Sequence, residues 1–246
     1  MLVSAEKIHS QMSTLRERDP WQMECMRLCT VATGLFNAAA EVARTPQDHD
    51  SQEERELVSQ QVLGIRVLNS IGAADVLILR GFYQPAGIMI RDIVECSYLL
   101  DLFSRRPHHL PKWIALGKEA GLKEYRPSQV REMLNVIDGI GRETRQGPYT
   151  FYSRYGTHPN SEAVDLIAPE GAVRVGPFAD ETRLIALSYD LTRFSVLAAI
   201  HLSRWLRNAN LRSDQAYHSL EIARTRIEDG FMNLNEHLNR VPRKEA

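Results

Sequence analysis

The chain has 246 residues, of which 43% are hydrophobic and 25% charged, and its net charge is −1 at pH 7. This is the composition of an ordinary globular protein. With so little net charge, no overall electrostatic field attracts nucleic acid or anionic lipid, so nucleic-acid binding would require a local basic patch. No uninterrupted apolar run reaches the ~20 residues that span a bilayer, and the N-terminus lacks the apolar segment of a signal peptide. Together these features predict a cytoplasmic protein that does not enter a membrane.

The first third of the chain has helical periodicity. A short helix is expected over about 4–18, and Asp19 followed by Pro20 has the order of an N-cap and a first helical position. Asp19 and Pro20 therefore predict the start of an apolar helix over 20–44. After a polar loop, apolar residues at helical spacing predict a long helix over about 52–80.

The rest of the chain alternates long helices with a loop-rich middle. A nearly apolar helix is expected over about 85–105, and short helices interrupted by Gly and Pro over 112–147. Two short β-prone runs around "PEG" predict a small hairpin or extended excursion over 164–178. Asp180 is the expected cap of a helix over about 181–208, and the last helix covers about 214–239.

These elements predict one all-α domain over residues 1–246. Its architecture would be an up-and-down bundle of four or five long helices, with 112–179 as an insert of short helices and the extended segment.

The three cysteines, Cys25, Cys29 and Cys96, are too few and odd in number for a disulfide framework. Cys25 and Cys29 lie four residues apart in an apolar helix, and no second Cys/His pair has the spacing of zinc ligands, so a pair of buried free thiols is favoured. A Glu-x-x-His spacing at Glu6 and His9 has no partner on another long helix, which disfavours a di-iron site. The sequence predicts neither a metal nor an organic cofactor.

The apolar helix 85–105 carries charges that need partners. Arg91 and Glu95 are four residues apart, in the weaker order for a surface ion pair. Asp75 lies on the apolar stripe of the preceding helix. Because burying a charge costs several kcal/mol (roughly) unless it is paired, two interpretations remain. Asp75, Arg91 and Glu95 either form a structural network that fixes helix register or line one wall of a functional site.

The stretch "FYSRYGTHPN", residues 151–160, concentrates functional side-chain types where a helix should end. Arg154 and His158 are four residues apart, and Pro159 disfavours helical geometry at His158. A histidine can change protonation near neutral pH, and an arginine can bind phosphate through two hydrogen bonds. Tyr152 and Tyr155 could add hydroxyls or stack on bases. The alternative is that Arg154 and His158 cap the helix and tie down the following loop.

The Arg91-x-x-x-Glu95 helix followed by the Tyr-rich turn ending in His158-Pro159 resembles a group of uncharacterised bacterial helical proteins. It is distantly similar to the HEPN superfamily of small, often dimeric helical domains, in which the signature Arg and His are spaced slightly further apart. Many HEPN domains are metal-independent ribonucleases of toxin–antitoxin, defence and RNA-processing systems.

The resemblance implies that Arg154 and His158 are catalytic and that Arg91, Glu95, Asp75, Tyr152 and Tyr155 support them. It also implies RNA as substrate or ligand, an antitoxin or regulatory protein as partner, and a homodimer. The competing hypothesis is a non-enzymatic helical interaction module whose polar cluster is structural.

Overall fold

The computed structural model describes residues 2–42, 52–116, 123–141, 143–154, 176–208 and 214–240. Within these ranges the chain forms nine helices and no strand, so the predicted all-α class is confirmed. The helices are α1 Leu2–Arg18, α2 Pro20–Val42, α3 Gln52–Leu79, α4 Tyr83–Arg105, α5 His109–Ala115, α6 Pro127–Asp138, α7 Glu143–Tyr152, α8 Glu181–Asn208 and α9 Asp214–Arg240.

Both helix caps predicted from aspartates are confirmed. The Trp21 backbone N–H donates to Asp19 Oδ1 at 2.8 Å, next to the proline that begins α2. The Arg183 backbone N–H donates to Asp180 Oδ1 at 2.9 Å, at the start of α8. In each case the carboxylate satisfies an N–H that has no partner within its own helix.

The core is centred on α4 and α8, which make the most extensive contact of any two helices described. α4 also packs on α3, α6 and α7, and α8 also packs on α2, α3 and α9. Apolar α4 side chains with no exposed surface point into this core: Ala86, Ile90, Ile93, Val94, Leu100, Leu102 and Phe103. A helix buried on so many sides is necessarily apolar over most of its circumference, as the α4 sequence is.

The turn between α3 and α4 fixes the segment that leads into α8. Gly81 has φ +76°, and a Cβ there would lie 2.3 Å from the Phe178 carbonyl oxygen. The Tyr83 hydroxyl accepts from the Asp180 N–H at 3.0 Å, and its ring meets Phe178 edge-on with centroids 5.2 Å apart. The glycine is therefore required both by its backbone conformation and by close approach. Of the expected hairpin 164–178, only 176–178 lie among the described residues, and they form no strand.

Two helical segments, Val58–Leu79 and Glu181–Trp205, are long and apolar enough to span a membrane by length and composition. Core helices of soluble proteins pass the same test, and 61% of the apolar window in the second segment is buried inside the protein. In the α3 segment only 39% is buried, so much of its apolar surface faces outward.

Candidate functional site

Arg91 and Glu95 form an ion pair on α4, with Arg91 Nη2 2.9 Å from Glu95 Oε1. Their side chains are 21% and 27% exposed, so the pair is neither a surface bridge nor closed to solvent. Burial raises the pKa of Glu95, and the positive charge of Arg91 opposes that shift. The pair therefore sits at the edge of the core, where it could contact a ligand.

Tyr149 of α7 completes this cluster together with Arg131 of α6. Arg91 Nη2 donates to the Tyr149 hydroxyl at 3.0 Å, and its guanidinium carbon lies 5.0 Å from the ring centroid. The Arg131 guanidinium carbon lies 4.0 Å from the same centroid. Both guanidinium groups are close enough to the Tyr149 ring for cation–π interactions. This arginine–tyrosine cluster, Arg91, Glu95, Arg131 and Tyr149, joins α4, α6 and α7.

The end of α7 divides its aromatic residues between core and solvent. Phe151 is 43% exposed, whereas Tyr152 is buried at 1% exposure, and the two rings lie edge-on with centroids 5.1 Å apart. Arg154 is exposed and lies two residues after the end of α7, in a π-helical turn. The outward side of this helix end therefore carries an aromatic ring and a guanidinium group.

Tyr152 is engaged inside the protein. Its hydroxyl donates a hydrogen bond to Asp190 Oδ2 of α8. Burial raises the pKa of Asp190, while the hydrogen bond from Tyr152 and the charge of Arg193 lower it. Burial likewise raises the pKa of Tyr152 well above 10, as does the neighbouring carboxylate. The pair links α7 to α8, which favours the structural interpretation for Tyr152.

Asp75 lies in a different part of the molecule. Its Oδ1 accepts from Arg16 Nη1 at 2.6 Å, so it pairs with α1 and not with Arg91 or Glu95. On α4 the neighbouring Asp92 accepts from Arg66 Nε at 2.9 Å and from the Ser70 hydroxyl at 2.8 Å, both on α3. The charges expected to form one network thus belong to separate contacts between helices.

Two of the predicted site residues, Tyr155 and His158, lie outside the described residues. The pairing of Arg154 with His158 therefore stays a prediction. Among the predicted residues the structure brings together Arg91 and Glu95, and it adds Tyr149 and Arg131, which the sequence did not identify. The hint was present in the sequence, because Tyr149 lies two residues before Phe151 in the same aromatic run.

A second polar network surrounds Asp101 on α4, and sequence reasoning missed it. Asp101 Oδ1 lies 3.3 Å from His201 Nδ1, and its Oδ2 lies 3.4 Å from Arg105 Nη1. Arg105 and Arg145 both pair with Asp138 at the end of α6. The His201 side chain is 12% exposed and lies beside Asp101, but its Nδ1 makes no hydrogen bond. The network joins α4, α6, α7 and α8.

The cysteines are free thiols, and Cys25 and Cys96 are buried. Burial raises the pKa of Cys29 and that of Cys96 to about 12 each, so these thiols are protonated at neutral pH. Within the parts of the chain that the structure describes, no group of three or more His, Cys, Asp or Glu side chains is placed to hold a metal ion.

Comparison with known proteins gives no match: no family model, no curated protein and no solved structure is significantly similar to this chain.

Replacing Tyr152 with Phe should destabilise the protein by about 1.5–3 kcal/mol, because Asp190 loses the donor that supports its half-buried charge. Tyr189→Phe is the matched control, since the Tyr189 hydroxyl donates to the uncharged amide oxygen of Asn235 at 2.7 Å. It should cost only about 0.5–1.5 kcal/mol. Urea unfolding at pH 7 measures both. Equal losses would show that the charge on Asp190 contributes nothing.

His201 should make stability depend on pH. Burial lowers its pKa to about 4, and the attraction of Asp101 only partly opposes this. Between about pH 6.5 and 4 the unfolded chain therefore binds a proton that the folded protein does not. Stability should fall as pH drops through that window, by up to about 1.4 kcal/mol per pH unit from this group.

The test compares wild type with His201→Gln by urea unfolding from pH 8 to 4.5. The variant should lack the His201 part of the slope below pH 6.5, whereas the two proteins should have parallel profiles between pH 7 and 8. Parallel profiles over the whole range would contradict the assignment.

Proposed function

We propose that this protein binds single-stranded RNA at the end of α7 and cleaves it without a metal, as a cytoplasmic HEPN-like ribonuclease of a defence or toxin system. The observation that carries the proposal is the exposed Phe151 followed by the exposed Arg154. Proteins that bind single strands combine aromatic faces, on which bases stack, with cations that follow the phosphates. Tyr149 of the arginine–tyrosine cluster lies on the same helix, and its contacts with Arg91 and Arg131 hold that helix against α4 and α6.

The proposed chemistry uses Arg154 and His158. His158 would remove the proton from a ribose 2′-hydroxyl, whose oxygen attacks the adjacent phosphorus. The bond from phosphorus to the 5′-oxygen breaks, that oxygen takes up a proton, and a cyclic phosphate remains on the upstream fragment. Arg154 would stabilise the charge that builds on the phosphate oxygens. Arg91 would support the site by holding Tyr149 in place.

The same proposal includes the remaining architecture and partners. The long helices α2, α3, α4, α8 and α9 would form an up-and-down bundle, and 164–178 would be a small hairpin-like insert. A toxin of this kind would be held inactive by an antitoxin or other regulatory protein.

Replacing Phe151 with Ala should weaken binding of a fluorescently labelled single-stranded RNA by about 1–3 kcal/mol, because one stacking surface is lost. Replacing Arg154 with Ala should also reduce the dependence of log Kd on log salt concentration by about 0.7. Fluorescence anisotropy measures both effects. Met232→Ala and Arg204→Ala are controls, since both residues are exposed on other helices.

Cleavage is tested in EDTA with total RNA and with the folding of each variant confirmed by circular dichroism. Wild type should leave cyclic-phosphate ends, and His158→Ala should not cleave. Unchanged RNA affinity in both Phe151→Ala and Arg154→Ala would refute the surface. Binding without cleavage by wild type would reduce the proposal to an RNA-binding protein.

A second candidate function, a non-enzymatic helical interaction module, is favoured by the outer face of α3. Residues 58, 62, 65, 69, 72 and 76 are exposed and alternate at spacings of four and three. Val58, Val62, Ile65 and Val76 in this α3 stripe are about half exposed, although they are apolar. The other two positions are Asn69 and Gly72. Mostly apolar residues at a 3.5-residue period are typical of a helix that packs against another helix.

The α3 stripe suits a second copy of this chain. An antiparallel pair about a twofold axis near residue 67 places Val58 opposite Val76, and Val62 opposite Gly72, where a Cβ would meet nothing within 4 Å. The charges beside the stripe are already neutralised inside each copy, since Arg66 pairs with Asp92 and Asp75 with Arg16. Two copies could therefore approach without repulsion between like charges.

Replacing Ile65 with Asp should convert a dimer into a folded monomer, because two carboxylates would enter an apolar contact. Sedimentation velocity at micromolar concentration measures the change. Val136→Asp is the control, since Val136 is 78% exposed on α6 and lies outside the stripe. A monomeric wild type would refute self-association, and vesicle binding that Ile65→Asp abolishes would assign the stripe to a lipid surface.

A further inference from the structure

Away from the α7 surface, the protein has a cavity of about 220 Å³ between α1, α2, α3 and α8. None of the residues that carry the RNA-binding proposal lies in its wall. The apolar part of the wall is formed by Cys25, Met26 and Cys29 of α2, Ile71 and Gly72 of α3, and Leu191 of α8. The other wall residues are polar, so their own contacts decide which class of molecule the cavity can hold.

Two threonine hydroxyls of the wall donate to backbone carbonyls and not into the cavity. The Thr30 hydroxyl donates to the Met26 carbonyl oxygen at 2.9 Å. The Thr192 hydroxyl donates to the Ser188 carbonyl oxygen at 2.7 Å and lies 3.3 Å from that of Cys25. A hydroxyl has a single hydrogen to donate, so neither threonine has a donor left for a ligand.

The charges of the wall are also used within the protein. Arg16 Nη1 lies 2.6 Å from Asp75 Oδ1, and Arg16 Nη2 donates to the Ser188 hydroxyl at 3.2 Å. The third nitrogen, Arg16 Nε, is fully enclosed by protein and does not reach the cavity, and the same holds for the Gln22 amide oxygen. An anion would have to displace Asp75 from the guanidinium, and a cation would have to displace Arg16 from the carboxylate. The wall therefore disfavours ions and ligands that depend on hydrogen bonds.

We propose that this cavity binds a small, uncharged, apolar molecule about the size of one ring. An engineered cavity of about 150 Å³ with an apolar wall stays dry and takes up benzene. The larger volume of about 220 Å³ holds one ring with small substituents. Met26 is 42% exposed and Gly72 is exposed too, so the cavity opens to the surface between α2 and α3, and a ligand can enter there. Apolar surface removed from water on both sides drives the binding.

The test uses toluene as the probe, with benzoate as the charged control and benzamide as the polar, uncharged control of similar size. The full chain is labelled with ¹³C in its methionine methyl groups and titrated by NMR. Toluene should shift the Met26 methyl resonance saturably, because the ring lies against that side chain. The matched control is the methyl group of Met232, which is 57% exposed on α9 and lies outside the wall. It should not shift.

Benzoate and benzamide should bind at least about fivefold more weakly than toluene, because each would bring a polar group into a wall that leaves it without a partner. The Met26→Leu variant identifies the resonance by its disappearance.

Gly72→Leu should weaken toluene binding by at least about fivefold, because the added side chain takes up space that the ring needs. A Cβ at Gly72 meets nothing within 4 Å, so the variant can fold. Gly34→Leu on α2 is the matched control, since a Cβ there also meets nothing within 4 Å and Gly34 is not in the wall. It should bind like wild type.

Gly72 also belongs to the α3 stripe, so Ile65→Asp is titrated as well and should bind toluene like wild type. Binding by Ile65→Asp alone would show that a second copy covers the opening, and it would overturn a site for a free ligand.

Four further results would overturn the site: no saturable shift of the Met26 methyl resonance, equal shifts at Met26 and Met232, undiminished binding by Gly72→Leu, or benzoate or benzamide binding as tightly as toluene. None of them depends on RNA binding or cleavage, so the cavity can fail while the α7 surface holds, and the reverse.

Discussion

The fold depends on satisfying the charges of one nearly buried helix. α4 packs on five other helices and still carries Arg91, Asp92, Glu95, Asp101 and Arg105. Each of these charges has an ionic or polar partner, and most partners come from a different helix: Tyr149 on α7, Arg66 on α3, His201 on α8 and Asp138 on α6. Removing one member of such a pair leaves the other charge desolvated and without compensation, which destabilises the fold. The charges therefore fix how the surrounding helices lie against α4, whereas its apolar side chains supply most of the burial.

This constraint also explains how the end of α7 is held and why Phe151 is exposed there. α7 is short and contains both a glycine and a proline, so its own hydrogen bonds would not hold it as a helix. Contacts with its neighbours do so instead: Arg91 and Arg131 hold Tyr149, and Asp190 holds Tyr152. With these two tyrosines fixed, the side of the helix that carries Phe151 faces outward, and Phe151 is exposed as a consequence. A side chain presented in this way loses little conformational freedom when it binds a ligand.

The sequence predicted what depends on neighbouring residues and missed what depends on distant ones. The long helices and the caps at Asp19 and Asp180 follow from periodicity and local chemistry, as does the need of Arg91 and Glu95 for partners. The partners themselves could not be predicted, because Tyr149 is 58 residues from Arg91 and Arg16 is 59 residues from Asp75. Asp75 was grouped with Arg91 and Glu95 because all three are charges on apolar helices. No residue near Asp75 in the sequence indicates that its ionic partner lies on α1.

The pairing of the charges on α4 also determines which forces would hold RNA on this protein. Because Arg91 is paired with Glu95 and held by Tyr149, little of its charge is available to attract a phosphate from a distance. The net charge of −1 provides no further attraction. Affinity would then depend on stacking at Phe151 and on short-range contacts at Arg154, with few counterions released. Binding of this kind is only weakly sensitive to salt and requires unpaired bases, so a duplex of the same length would be a poor ligand.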